Sequence, residues 1–202
     1  TISRCSKIIA DCGFVYFRDI EASKVINFLS DMRNDTAKAT TRNHFLTALK
    51  CFINWAVKDG RITQNPLRHI SREKAETEPK GILLPIQFQQ LVAETYDQGI
   101  VREGITAIER SYLYALTGTT GLRKKEVVAL LWTHMRLDSD DPAVILPAGL
   151  TKNNKTCSQP LTPRIAEMFR AWKQSGCYEN TAKVFPNLKY RLNIAAILKA
   201  DL

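Results

Sequence analysis

A polar break constrains this chain more than any other feature of its sequence. SREKAETEPKG, residues 71–81, carries Pro79 and Gly81 and no apolar run, and apolar periodicity resumes only at Ile82. Segments of that composition lie between compact units rather than inside one. The expected organisation is therefore a small domain over 1–72, a linker over 73–82 and a larger domain over 83–202. With 202 residues and 45% hydrophobic content, there is enough apolar material for two small cores.

Upstream of the break the apolar spacing is helical. Ile20, Val25, Ile26 and Leu29 fit one short amphipathic helix beginning near Ser23. From Thr40 to Lys58, Phe45, Ala48, Leu49, Phe52, Ile53, Ala56 and Val57 recur three and four residues apart. Gly60 and Asn65-Pro66 stop that second helix. Arg42, Lys50 and Lys58 fall at its other positions. An all-helical domain of this size suits docking on DNA, although basic residues at such positions also fit a plain solvated face.

Downstream, Pro85 opens a helix through Phe88, Leu91 and Val92, and another covers roughly Ala107 to Leu116, with Ile108, Tyr112 and Ala115 inward. A third follows Thr120-Gly121. The pattern then changes. Ala143-Val-Ile-Leu146 and Cys157 to Leu161 read as strands, with Lys152-Asn-Asn-Lys155 as the turn between them. Pro163 opens a helix carrying Ile165, Ala166, Met168, Phe169 and Trp172, and Ile194 to Leu202 is helical again. The expected fold class is mainly α with a small antiparallel β insert.

The formal charge of +9 favours an anionic partner such as duplex DNA. It is divided almost evenly between the two sides of the break, so an anion-binding surface must be folded rather than a tail. Five cysteines, with no CxxC pair and no histidine at zinc-ligand spacing, exclude metal and redox motifs, and their odd count argues against a disulfide framework. No apolar run approaches the length of a membrane span, and no signal peptide is legible, so a reduced, cytoplasmic protein is expected. The first residue is Thr rather than Met, which reads as an artificial start.

The run Thr120-Gly-Leu-Arg-Lys-Lys-Glu126, followed by Val127, Leu130, Leu131 and Trp132, holds the most informative chemistry. On a helical wheel Arg123 begins the stripe that Val127, Leu130 and Leu131 continue into the core. A cation in a first turn facing the core is disfavoured both by the helix dipole and by desolvation, so it needs a partner. Glu126, three residues on, is placed to be one. An arginine so braced keeps a bidentate fork free for phosphate. The same spacing also fits an ordinary surface ion pair.

The segment LTGTTGLRKKEVVALLW, Leu116 to Trp132, resembles the first signature box of the tyrosine recombinases, the phage-integrase family. The hairpin Leu150 to Leu161 resembles the family's β-hairpin, in which the first lysine of a TK turn is catalytic. Val184-Phe-Pro186 resembles its VFP-like segment, and Asn65-Pro-Leu67 the end of its core-binding domain. The matches occur in the family's order and span nearly the whole chain.

The resemblance implies a four-helix, SAM-like core-binding domain and the N-terminal part of a catalytic domain, closing as a clamp on double-stranded DNA. It implies site-specific strand exchange through a 3′-phosphotyrosyl intermediate, with no metal or nucleotide cofactor. Arg123 would clamp the scissile phosphate, Lys152 would protonate the leaving 5′-oxygen with Lys155 as second candidate, and Glu126 would hold Arg123. Arg42, Lys50, Lys124 and Lys155 are the expected DNA contacts, and self-association as a tetramer on DNA is expected of the full-length parent.

The family's His-x-x-Arg box and nucleophilic tyrosine are not legible. His69-Ile-Ser-Arg72 matches the former as text but precedes Arg123, and Tyr190 follows the hairpin too soon; Tyr178 and Tyr112 read as core or surface residues. The chain is therefore expected to bind DNA without cutting it. The alternative is a non-catalytic DNA-binding or regulatory protein that keeps the clamp.

Overall fold

In a computed structural model, which describes residues 2–75 and 81–202, the chain forms two compact units, 1–80 and 81–202. Residues 76–80 of the expected linker lie outside the described residues.

Among the described residues the first unit is built on three α-helices, α1 (Ile2–Asp11), α2 (Ala22–Asn34) and α3 (Ala39–Lys58), with a 3-10 turn at Phe17–Asp19. The family resemblance implies four helices; three α-helices are present among the described residues. Cys5 and Ile8 of α1, Val25, Phe28 and Leu29 of α2, and Leu46, Leu49 and Ile53 of α3 meet in one core, closed by Leu67. These positions repeat at helical spacing, so each helix buries one stripe and leaves the rest in water. Phe17, Phe52 and Trp55 stack in sequence along the edge of α3, with ring centroids 5.7 and 5.8 Å apart.

The second unit packs α4 (Pro85–Asp97), α5 (Ala107–Thr120), α6 (Lys124–Val128), α7 (Pro163–Ser175) and α8 (Ile194–Asp201) with a three-stranded sheet. Strands β1 (Met135–Arg136), β2 (Ala143–Leu146) and β3 (Cys157–Pro160) pair antiparallel in sequence order, with Ala143 opposite both Arg136 and Pro160. The mainly helical class with a small antiparallel sheet stands, with one strand more than the sequence showed. Three of the four β2 residues are buried, whereas β3 is an edge strand with none buried.

Helix α5 is the centre of this unit. Thr106 caps it by accepting from Glu109 N, and every residue from Glu109 to Leu116 is buried. At Gly118 the ring of Phe88 on α4 lies 2.4 Å from where a Cβ would stand, so the absence of a side chain is what lets α4 approach this closely.

The inward face of α5 differs from the expected one at its start. Ile108 is exposed, and Glu109 and Arg110 point inward. The physical reason is a set of partners far away in sequence. Arg110 Nε donates to Asp201 Oδ2 at 2.7 Å and Nη2 to Oδ1 at 3.1 Å, while Nη1 donates to the carbonyls of Ile100 and Ile105. Tyr114 Oη donates to Asp201 Oδ2 at 2.7 Å, and Arg102 adds a contact of 2.6 Å to Oδ1. Burial pushes the Asp201 carboxyl up, but the bonds from Arg110, Tyr114 and Arg102 outweigh it and hold the group below the ordinary carboxylate value. Tyr114 is raised, first by burial and then by its bond to the Asp201 carboxylate.

Removing one member of such a cluster strands the others in low dielectric. Asp201→Ala should destabilise the protein by about 3–5 kcal/mol, whereas replacing Arg110, Tyr114 and Asp201 together by Met, Phe and Leu should cost far less. Urea unfolding of the two variants checks this.

Candidate functional site

Helix α5 ends at Gly121, which is left-handed with φ +66° and whose N–H closes on Thr117 O. Glycine adopts that conformation without steric cost, and the turn sends the chain into Leu122 and Arg123. Arg123 is extended, with φ −74° and ψ 149°, and stands immediately before α6 rather than within it.

This corrects the expectation that Arg123 starts the core-facing stripe of a longer helix. Helix α6 begins one residue later and is only five residues long, and the Arg123 side chain is 66% exposed. The buried member of the pair is Glu126, whose side chain is 6% exposed. Its Oε2 accepts from Arg123 N at 2.7 Å and its Oε1 from Arg123 Nη1 at 3.1 Å. One carboxylate therefore fixes both the backbone and the side chain of Arg123, in the manner of the reciprocal half of a capping box. Nε and Nη2 have no partner among the described residues. The arrangement is a guanidinium braced from below, with donors left over for an anion.

The core holds Glu126 in place. Val127, Leu130 and Trp132 are buried. The chain then runs beside the segment at 180–184: Trp132 N donates to Ala182 O at 3.0 Å and Val184 N to Leu130 O at 2.9 Å. Two sequence matches more than fifty residues apart, Leu116–Trp132 and Val184-Phe-Pro186, are thus neighbours. Glu109 secures the far side. Its two carboxylate oxygens accept from Asn187 N at 3.0 Å and Asn187 Nδ2 at 2.9 Å, and burial raises its pKa against those bonds.

The hairpin lysines occupy a loop closed on itself. Thr151 Oγ1 donates to Lys155 O at 2.7 Å and accepts from Lys155 N at 3.1 Å, and Asn154 takes a positive φ of 51° between them. Lys152 and Lys155 are exposed. Among the described residues no hydrogen bond or ion pair joins either of them to Arg123 or Glu126. Lys124, beside Arg123, donates from Nζ to Leu192 O and lies over the Tyr190 ring at 5.3 Å.

The two expected DNA contacts of the first unit are occupied within it. Arg42 is 7% exposed, and its guanidinium donates to Ala37 O and to both carboxylate oxygens of Glu73. Asn43 grips the Glu73 backbone on both sides, at 2.8 and 2.9 Å. Lys50 donates to Ile70 O. These two basic side chains fasten α3 to residues 68–73 rather than forming an open cationic face. Their partners sit at the edge of the stretch read as linker, so the pairing has no signature in helical periodicity. The Arg110–Asp201 cluster and the Glu109–Asn187 bonds went unread for the same reason. The one available signal was a charged pair, Glu109-Arg110, inside an apolar helix.

Among the described residues no cluster of His, Cys, Asp and Glu could hold a metal ion, and no helix is long and apolar enough to cross a membrane.

No family model matches the chain. It is similar to tyrosine recombinase XerC of Yersinia pestis, 25% identical over 172 residues that cover 85% of this chain and 53% of that protein. XerC of Azotobacter vinelandii is also 25% identical, over 170 residues, 83% of this chain and 54% of the relative. The chain thus spans about half the length of the curated relatives it matches. Among solved structures, a lambda integrase (75–356) dimer bound to a COC′ core site superposes with a TM-score of 0.68 at 13% identity, covering 99% of this chain and 68% of that one. The Tn1549 transposon integrase (82–397) in complex with circular intermediate DNA gives 0.65 at 14% identity, over 98% and 76%.

Glu73 makes the first unit sensitive to acid. The bond from Arg42 first, with Arg33 at 2.9 Å adding to it, lowers the Glu73 carboxyl from 4.5 to about 2. A carboxyl depressed on folding contributes stability that is complete above its unfolded value and lost as pH falls through its folded value. Stability should therefore decline between about pH 4.5 and 2, and Glu73→Gln should flatten that part of a stability-against-pH curve followed by urea unfolding.

Proposed function

We propose that the chain, similar in sequence to tyrosine recombinase XerC and in fold to lambda integrase, supplies the duplex-binding region and part of the active site of a tyrosine recombinase. The observation that carries this reading is the Arg123–Glu126 pair, an exposed guanidinium fixed by a buried carboxylate and retaining free donors. An anion at that position is held without moving the arginine. Preorganised donors of this kind stabilise the charge that develops on a phosphoryl group in transfer.

Each assigned residue has one task. Arg123 contacts the non-bridging oxygens of the scissile phosphate, and Glu126 positions Arg123. Lys152, on the Thr151-closed loop, delivers a proton to the 5′-oxygen as its bond to phosphorus breaks, with Lys155 as the alternative donor on the same loop. The attacking group is a tyrosine hydroxyl, which gives up its proton to solvent and forms the 3′-phosphotyrosyl ester as the P–O5′ bond breaks and the 5′-oxygen leaves as a hydroxyl with the lysine's proton. The reverse attack by a 5′-hydroxyl reseals the strand, so the phosphodiester energy is conserved and no nucleotide is consumed.

Tyr112 and Tyr114 are buried and Tyr178 stacks on Trp132 with centroids 5.6 Å apart, so none of them is assigned the nucleophile. The reading assigns it to a part of the full-length protein not represented in residues 1–202. The first unit is read as the core-binding domain and 83–202 as catalytic-domain sequence. Assembly on DNA, in the cytoplasm, belongs to the whole protein.

In that full-length protein, Arg123→Ala and Lys152→Ala should each lower cleavage of a suicide duplex by about a hundredfold or more, while duplex binding stays within about tenfold. Equal loss of binding and cleavage would make the two residues structural. An unmodified full-length protein that binds the duplex and never forms a covalent adduct would instead be a non-catalytic DNA-binding protein.

A further inference from the structure

Three basic residues of the second unit, Lys124, Lys189 and Arg191, lie where α6 meets the turn before α8. Leu192 N closes on Lys189 O at 3.1 Å, making a tight turn with Tyr190 and Arg191 at its centre. Lys189, Tyr190 and Arg191 are all exposed, Tyr190 at 66%. Lys124 reaches this turn from the start of α6, through its bond to Leu192 O and its place over the Tyr190 ring. Among the described residues none of Lys124, Lys189 and Arg191 has a carboxylate within ion-pair distance. Lys189 and Arg191 also line an open cleft of about 810 Å³ alongside Arg102 and Asn193, with Glu103 as its one acidic member. Arg102 is already engaged by Asp201 and Ala200 O, which leaves the two turn residues as the cleft's free cations.

Three cations without a carboxylate partner among the described residues, Lys124 over the Tyr190 ring and Lys189 and Arg191 flanking Tyr190 in sequence, carry a local excess of positive charge next to Arg123 that a phosphate backbone would neutralise. Behind the turn Asn193 caps α8, and at the far end of α8 Asp201 is locked to α5. Several cations spread along one exposed turn with an aromatic spacer fit a polyanion backbone better than a single small anion.

Resting on the DNA reading above, we infer that Lys124, Lys189 and Arg191, set around Tyr190, form a contact surface for the phosphate backbone of duplex DNA running past Arg123. The contacts are to phosphates, so they add affinity and register and carry no base preference.

The test is a salt titration of duplex binding by the 202-residue chain, for the unmodified protein, for K189Q/R191Q, and for R136Q/K183Q, which removes the same charge from exposed side chains at β1 and the 180–184 segment. Loss of two phosphate contacts should make the slope of log K against log salt shallower by about 1.8 in K189Q/R191Q, with weakening of about tens of fold at 0.1 M salt on duplexes of any sequence. The control pair should retain the parental slope, and circular dichroism should show all three proteins equally folded. A parental slope in K189Q/R191Q overturns the surface while leaving the DNA reading intact, as does an equal change in both variants, which would mark a net-charge effect. An unmodified protein with no salt-dependent binding would bring down the DNA reading and this surface with it.

Discussion

A buried ion pair between α5 and the end of α8 holds the second unit in register. Arg110 and Asp201 are both taken out of water, and each would be strongly destabilising alone. Together with Tyr114, Arg102 and two carbonyls they satisfy one another, and the geometry in which they do so admits a single placement of α8 against α5. A greasy contact of the same volume would tolerate sliding and rotation. Three directed bonds from α5 to Asp201 do not.

The placement matters because α5 carries its consequences to its other end. Gly121 stops the helix and turns the chain, Arg123 follows two residues later, and Glu126 drops into the core that Val127, Leu130 and Trp132 build. The start of α8 lies beside the same point, where Leu192 O receives Lys124. The end of α5, the start of α6 and the turn before α8 thus frame one short exposed stretch, and that stretch holds the guanidinium with donors to spare. The first unit follows the same economy with different parts: Arg42, Lys50 and Asn43 secure the segment after α3, so its most conspicuous helix cations are structural.

Helical periodicity located α2, α3, α4, α5, α7 and α8 to within a few residues, because each buries one stripe. It did not find α1, although Cys5, Ile8 and Ile9 stand at helical spacing, because that stretch opens on exposed residues. The pair Arg123 and Glu126 was legible from its spacing and its resemblance to a signature box. Which member is buried was not, since that depends on Arg123 standing before the helix rather than in it. Ile108 outward with Arg110 inward inverts the usual preference, and it rests on an aspartate ninety-one residues away. Periodicity reports a neighbourhood of one or two turns and is blind to such partners. For the same reason Arg42 and Lys50 looked like a basic face until their carboxylate and carbonyl partners were in view.

The central claim is that Arg123, braced by Glu126, grips a DNA phosphate with the donors it has left. Guanidinium NMR of the chain during titration with a short duplex addresses that atom by atom. The Arg123 Nε–H signal should shift and exchange more slowly with water as the duplex binds, and should do neither in Glu126→Gln at the same occupancy. A duplex that binds fully while the Arg123 signal stays where it was would contradict the account.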